Sequence, residues 1–505
     1  MGRSPEDSTA ATAPGSSAAT SESYDPLPLH HTKPAVEAGF ASSEHISDAG
    51  YRRGIRSDTH YPAAVLRTGS IDLWNANVIG TLDGLRREVC AVSVRDGIIV
   101  EVGEARGDPL DRAIDLEGRT LMPGLIDAHA HVSSDVSRSS GFGPPAPRKG
   151  EEPRPRELGY FVLANAARAF LRAGVTTVRD VGCFDDESIA LRQAVDLGLL
   201  EEPRLLCCGR IVSATAPGGR IFGTMYREAD GPWEMRKAVR EQIRRGADFV
   251  KVMSTGARSV AREDPEPAQM TREELEAIVD EAQRMGLRVA AHAEGLEGTR
   301  MAIEAGVDTI EHGFSLHRDP ALLATMAERG IVLVPTLSTF HDLAERFAPE
   351  YAPALVDQAK RQLEEAYVTL VAASDAGVTL AMGFDSGPPG ANATELVRMV
   401  DGGLTAAEGI EAATAGSAAA LGRSDLGVVA PGNPADLLVI DGHPLEDVRV
   451  LADPSRLWLV LRDGRPVAGT ATSGAPLVST SMDDPGWIEG SQSPCLALLA
   501  GAAPA

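Results

Sequence analysis

The middle of the chain repeats one unit, a short apolar run of strand length followed by a stretch with helical spacing. Eight such runs occur: Leu125–His131, Val175–Asp180, Arg204–Cys208, Phe249–Met253, Arg288–His292, Thr309–His312, Val332–Thr336 and Thr379–Asp385. Helical patterns lie between them. Thr271–Met285, for example, opens on a Thr-x-x-Glu capping box formed by Thr271 and Glu274. A strand followed by a helix returns in parallel beside its predecessor. Eight units of this kind predict an α/β fold, a closed (β/α)8 TIM barrel over residues 123–423.

Both flanks have another texture. Ser70–Val78, Val89–Val94, Ile98–Val102 and Ala113–Leu116 are strand-like pieces with turn residues such as Asp96-Gly97 between them. The same pattern returns in Asp436–Ile440 and in Leu457–Arg462, ahead of Asp463-Gly464. Such turns predict hairpins, and the two flanks together predict a small β-sandwich built from residues 67–122 and 424–472. Residues 1–66 read as a disordered or extended tail and 473–505 as an irregular one. The adjacent His30 and His31 in the first tail read as solvated.

Composition narrows the partners. The 505 residues suit one large domain with an accessory one. A formal net charge of −24 would be repelled by a phosphate backbone, so nucleic acid is not expected. No apolar run is long enough to span a bilayer, and residues 1–20 lack the apolar middle of a signal peptide. The five cysteines, Cys90, Cys183, Cys207, Cys208 and Cys495, are odd in number and form no CxxC pair. A reducing cytoplasm is the expectation. A small molecule or peptide is the expected partner, and self-association into a homo-oligomer stays open.

A barrel of this kind carries its chemistry at the C-terminal ends of its strands. His129 and His131 stand two apart on the first run and so share a face. Lys251 lies in the fourth run, His292 and His312 end the fifth and sixth, and Asp385 ends the eighth. Singly, each has an ordinary reading: a hydrogen-bonded imidazole, or a carboxylate capping a helix. Lys251 differs, because its flanks are apolar and a buried unpaired ammonium is expensive. Four histidines, a lysine and an aspartate on one rim predict a metal site, and such nitrogen and oxygen donors suit zinc.

The run Met122-Pro123-Gly124-Leu125-Ile126-Asp127-Ala128-His129-Ala130-His131 resembles the first-strand signature of the amidohydrolase superfamily. Gly174–Asp180, Val250–Met253, Ala291–Gly295, Gly306–Gly313 and Pro431–Leu437 extend the resemblance from about residue 68 to 470. Their order is most similar to the branch of Xaa-Pro dipeptidases, related carboxypeptidases and imidazolonepropionase-like proteins. The resemblance implies two divalent cations. His129, His131 and Asp385 would hold one, His292 and His312 the other, and Lys251, carboxylated by CO2, would bridge them. It also implies Asp385 as general base and then general acid. Glu311, just before His312, is read as a supporting residue.

The match weakens in the substrate loops. Peptide-cleaving relatives often carry Gly-Gly-His-Gly after the third strand, where this chain has Ala216-Pro217-Gly218-Gly219-Arg220-Ile221. Arg220, Tyr226 and Arg258 are candidates to hold a substrate carboxylate, with a solvated loop position as the alternative for each. The segment from His131 to Glu157, with Gly141-Phe142-Gly143-Pro144-Pro145, is long enough for a lid. Three functions stay open. The first is hydrolysis of a peptide or peptide-like amide near a free carboxylate, including a modified peptide natural product. The others are opening of a cyclic amide or lactone, and an inactive barrel serving as a binding scaffold.

Overall fold

The computed structural model describes residues 70–472 apart from 82–83, 105–112, 133–156, 259, 261, 347 and 351. Both predicted tails, with His30, His31 and Cys495, lie outside the described residues, as does most of the segment read as a lid. Five strands come first among the described residues: β1 (Ile71–Thr81), β2 (Gly84–Arg95), β3 (Ile98–Glu104), β4 (Ala113–Asp115) and β5 (Thr120–Pro123). The central strands are β6 (Leu125–Ala130), β7 (Val175–Asp180), β8 (Arg204–Cys207), β9 (Ile211–Ser213), β10 (Tyr226–Glu228), β11 (Phe249–Met253), β12 (Arg288–Ala293), β13 (Thr309–His312) and β14 (Val332–Val334). Then follow β15 (Leu437–Ile440), β16 (Leu457–Arg462) and β17 (Arg465–Ala468).

The flanking strands form one sheet in the order β17-β16-β15-β5-β1-β2-β3, with β4 also against β1. Both predicted hairpins are present. Asp96 and Gly97 have φ of 50° and 82°, and Asp463 and Gly464 have 48° and 69°. Two successive positive φ values suit the right-handed twist of the strands they join. Strands from both flanks meet as expected: β15 lies antiparallel to β5, with Leu437 opposite Pro123 and Ile440 opposite Thr120.

The two-layer sandwich expected from sequence takes the form of a single sheet path, because β5 joins the two groups of strands edge to edge. The β2–β3 hairpin approaches the segment leading into β15. Ile99 N–H donates to the Asn433 carbonyl at 2.9 Å, and Ala435 N–H to that of Gly97 at 2.8 Å. Leu73, Val92, Ile99, Leu121, Val439 and Leu461 bury one shared apolar cluster.

The central strands form two parallel sheets, β6-β7-β8 and β10-β9-β11-β12-β13-β14. The second, fourth and sixth predicted runs coincide with β7, β11 and β13. Two features depart from the expected single eight-stranded ladder. Strands β9 and β10 were not anticipated, and β9 takes the edge of β11 where β8 was expected. Cys207 and Asp248 bridge that gap, with Asp248 N–H on the Cys207 carbonyl at 2.8 Å.

The other departure is the eighth run, which is not a strand. It has a bridge from Leu380 to Leu333 and scattered bonds, including Ala128 N–H to the Met382 carbonyl at 2.8 Å. Its close approach to β6 depends on Gly383. A Cβ there would lie 2.4 Å from Val334 Cγ1 and 2.6 Å from His129 Cβ. Asp385 then turns into the left-handed region, with φ 41°, and a ladder of extended residues cannot continue through it. Gly383→Ala should therefore destabilise the fold by about 1–3 kcal/mol. A lowered midpoint of denaturation would be the sign, and an unchanged one would mean the segment shifts freely.

The Thr271 capping box is formed as predicted. Thr271 Oγ1 accepts from Glu274 N–H at 3.3 Å, and Glu274 Oε2 from Thr271 N–H at 2.8 Å. Two orphan donors at the start of the helix Arg272–Arg284 are thereby satisfied. Among the described residues no helix is long and apolar enough to cross a membrane.

Candidate metal centre

The site begins where β6 meets the segment after Leu380. Asp127 is buried, and its Oδ1 accepts from His129 N–H at 2.9 Å and from Phe384 N–H at 3.3 Å. Its Oδ2 accepts from Asn392 Nδ2 at 2.6 Å. Asp385 N–H donates to the His129 carbonyl at 2.9 Å. One carboxylate and one backbone bond thus set Asp385 against the two histidines of β6. Asp385 Oδ1 is 3.6 Å from His129 Nε2 and 3.5 Å from His131 Nε2, and Oδ2 is 3.9 Å from His312 Nδ1.

His312 connects this group to His292. The His129 and His312 ring centroids are 5.0 Å apart, and those of His292 and His312 are 4.6 Å apart. Each histidine has one ring nitrogen held from outside the cluster. His129 Nδ1 meets Glu311 Oε2 at 2.6 Å, and His131 Nδ1 the Gly182 carbonyl at 2.8 Å. His292 Nε2 meets the Gly256 carbonyl at 3.0 Å, and His312 Nδ1 the Thr336 hydroxyl at 2.7 Å. Burial holds all four imidazoles below the usual histidine range, which favours the neutral form that can ligate a cation. His312, Thr336 and Asp385 all have positive φ, at 71°, 48° and 41°. Left-handed backbone is costly for a β-branched residue, so Thr336 is held there by its surroundings.

Lys251 lies in β11 with only 2% of its surface exposed, and its Nζ has no hydrogen-bond partner among the described residues. Burial lowers its pKa to about 8, with Glu311 opposing and Arg179 adding to the shift. Burial raises Asp385 to about 7, against the pull of Arg258 and Lys251. Burial also disfavours ionisation of Glu311, but the charges of Arg179 and Lys251 and the hydrogen bond with His129 prevail and hold it well below the usual carboxylate range.

The five expected histidine and aspartate ligands are therefore gathered in one place, and among the described residues two groups have donor atoms close enough to share an ion, neither of them including His131 or Lys251. These are His129, His312 and Asp385, and His292, Glu294 and His312. Sequence reasoning missed Glu294. The signal was present, because His292 and Glu294 stand two apart just as His129 and His131 do. The three substrate candidates separate. Arg258 is buried, 2.7 Å from Glu294 Oε1, with its guanidinium 3.8 Å above the Phe340 ring. Tyr226 is buried and stacked on Phe222, 4.9 Å between centroids. Arg220 is exposed on the short helix Gly219–Phe222.

A profile of the Amidohydrolase family matches residues 120–467. The chain belongs to the amidohydrolase family. It is 32% identical over 419 residues to ochratoxinase of Aspergillus niger, covering 76% of this chain and 84% of the relative. Among solved structures it superposes on a Xaa-Pro dipeptidase with bound methionine, TM-score 0.70 and 29% identity, covering 79% of this chain and 99% of the other. It also superposes on a prolidase complexed with N-methylphosphonate-L-proline, TM-score 0.69 and 32% identity, with coverage of 79% and 99%. These relatives imply a TIM-barrel domain of α/β content. This amidohydrolase is an enzyme that hydrolyses carbon–nitrogen bonds, so the inactive-scaffold expectation is set aside.

Proposed function

We propose that this amidohydrolase is a binuclear, metal-dependent hydrolase of a peptide or peptide-like amide with a free carboxylate near the scissile bond. The observation that carries it is the buried, orphaned Lys251 Nζ, whose charge is felt by His129, His292, His312 and Asp385. An ammonium cannot ligate a cation, whereas a carbamate formed from it with CO2 offers anionic oxygens and removes the buried positive charge. His129, His131 and Asp385 would hold one ion, His292 and His312 the other, with carboxylated Lys251 between. The nitrogen-rich set suits zinc. We also read the two parallel sheets as one closed (β/α)8 barrel, with the bonds at Asp248 and Met382 spanning its seams.

When bound, the two cations would supply Lewis acidity, making water easier to deprotonate and a carbonyl easier to attack. Asp385 takes the proton released by the attacking water and returns it to the departing nitrogen. Its position against both β6 histidines leaves the carboxylate facing the reacting centre. Arg258 and Tyr226 are close to this face and supply recognition of the substrate carboxylate. The names Xaa-Pro dipeptidase and prolidase, carried by two similar solved structures, support a peptide amide over a lactone.

The enzyme purified without chelator should carry about two metal ions per chain. A chelator should abolish hydrolysis and zinc should restore it, assayed on dipeptides, N-acyl amino acids and cyclic amides. Full activity in metal-free protein would overturn the mechanism. Cleavage of cyclic amides alone would overturn the substrate class.

A further inference from the structure

His129 is distinguished among the four histidines by what holds its second nitrogen. The other three have two backbone carbonyls and a hydroxyl as hydrogen-bond partners, with the Glu294 carboxylate farther off at 3.4 Å from His292 Nε2, whereas His129 Nδ1 meets a carboxylate directly at 2.6 Å. That carboxylate, Glu311, is fully buried. Both its oxygens are in use: Oε2 accepts from His129 at 2.6 Å, and Oε1 accepts from Arg179 Nη2 at 2.8 Å and from the Thr309 hydroxyl.

Arg179 is itself fixed by three other elements. Its Nε donates to the Ala128 carbonyl at 2.5 Å and its Nη1 to Thr309 Oγ1 at 3.2 Å and the Ala420 carbonyl at 3.5 Å. Its guanidinium lies 5.3 Å from the centre of the Phe249 ring. The chain Arg179–Glu311–His129 therefore crosses from β7 to β13 and back to β6, joining the two parallel sheets below the metal-competent donors.

We propose that Glu311 is a positioning residue: bonded on one side to Arg179 and on the other to His129, it fixes the proton of His129 on Nδ1 and so presents the bare Nε2 to the centre. The inference rests on the metal-site reading above and adds to it. Its chemistry is specific to a carboxylate. An amide in the same place has one acceptor oxygen for donors on two sides, His129 on one and Arg179 with Thr309 on the other. If that oxygen stays with His129, an NH2 group is left facing a guanidinium. If it turns to Arg179, the NH2 faces Nδ1, and the imidazole moves its proton to Nε2, the nitrogen that a cation needs bare.

The test compares zinc affinity, by competition with a chromophoric chelator, in the wild type, Glu311→Gln and Glu311→Asp. Aspartate keeps the charge but is one methylene too short to hold both partners. Both variants should bind the less tightly held zinc about 10–100-fold more weakly than the wild type. The melting temperature of each metal-free protein is measured alongside. Equal zinc affinity in a folded variant overturns the positioning role, whatever happens to stability. A wild type that takes up no zinc overturns the metal-site reading itself. Where neither variant folds, long-range 1H–15N correlation on histidine-labelled, zinc-loaded wild type decides. The resonances of His129, assigned by its substitution, should show the proton on Nδ1, and a proton on Nε2 overturns the proposal.

Discussion

Asp385→Asn should lower kcat by about 10^2–10^4-fold while leaving metal content close to that of the wild type. Residues with left-handed backbone are poorly tolerant of substitution, but asparagine, like aspartate, is among the few side chains that enter that region. The φ of 41° at this position, and the bond from its N–H to the His129 carbonyl, should survive the change. The amide retains an oxygen that can ligate. It loses the capacity to take up a proton, which is the step assigned to Asp385. Metal analysis and kcat measured on the same preparation separate the two roles. Near-normal kcat in a fully metallated variant would remove Asp385 from proton transfer.

Lys251→Ala should bind metal poorly and be nearly inactive. A pKa of about 8 leaves roughly a tenth of the side chain as free amine at neutral pH. That amine can attack CO2, forming an N–C bond and releasing one proton to yield a carbamate. The same burial that makes the ammonium costly thus favours the modification. Reconstitution of the metal-free wild type with zinc should be slow in CO2-free buffer and faster with bicarbonate. Short carboxylic acids should restore part of the activity of the alanine variant by filling the vacated space. Rapid reconstitution independent of bicarbonate, with an unmodified lysine at full metal occupancy, would refute the bridge.

The strands that carry the site were legible because each is a short apolar run holding a polar or charged group that a core would not otherwise take. β7, β11 and β13 match their predicted bounds for that reason. The eighth run was legible as apolar but not as irregular. Its departure comes from contacts between Gly383 and β6, which no local pattern records. β9 and β10 were hidden by their length of three residues each. At the site, Glu294 obeyed the same two-residue alternation that exposed His129 and His131. Arg179 presented the signal of Lys251, a cation in an apolar strand, without being weighed in the same way. The fates of Arg220, Tyr226 and Arg258 were not legible. Whether a loop side chain is buried depends on what packs over it, as Phe340 does over Arg258.

The pairing of β5 with β15 sets an order of events during synthesis. β5 leads straight into β6, the strand of His129 and His131, and Gly124 between them donates to the Asp436 carbonyl at 2.8 Å. A ribosome delivers β5 early and β15 only after every other donor of the cluster has emerged. Until then, the edge of β5 has no partner, and the strand it feeds is braced on one side alone. Long-range pairing of this kind is slow to form and cannot be anticipated by local structure. The growing polypeptide thus carries its histidines for most of its synthesis without the brace that completes their setting. A translation product ended before β15 would lack that brace altogether.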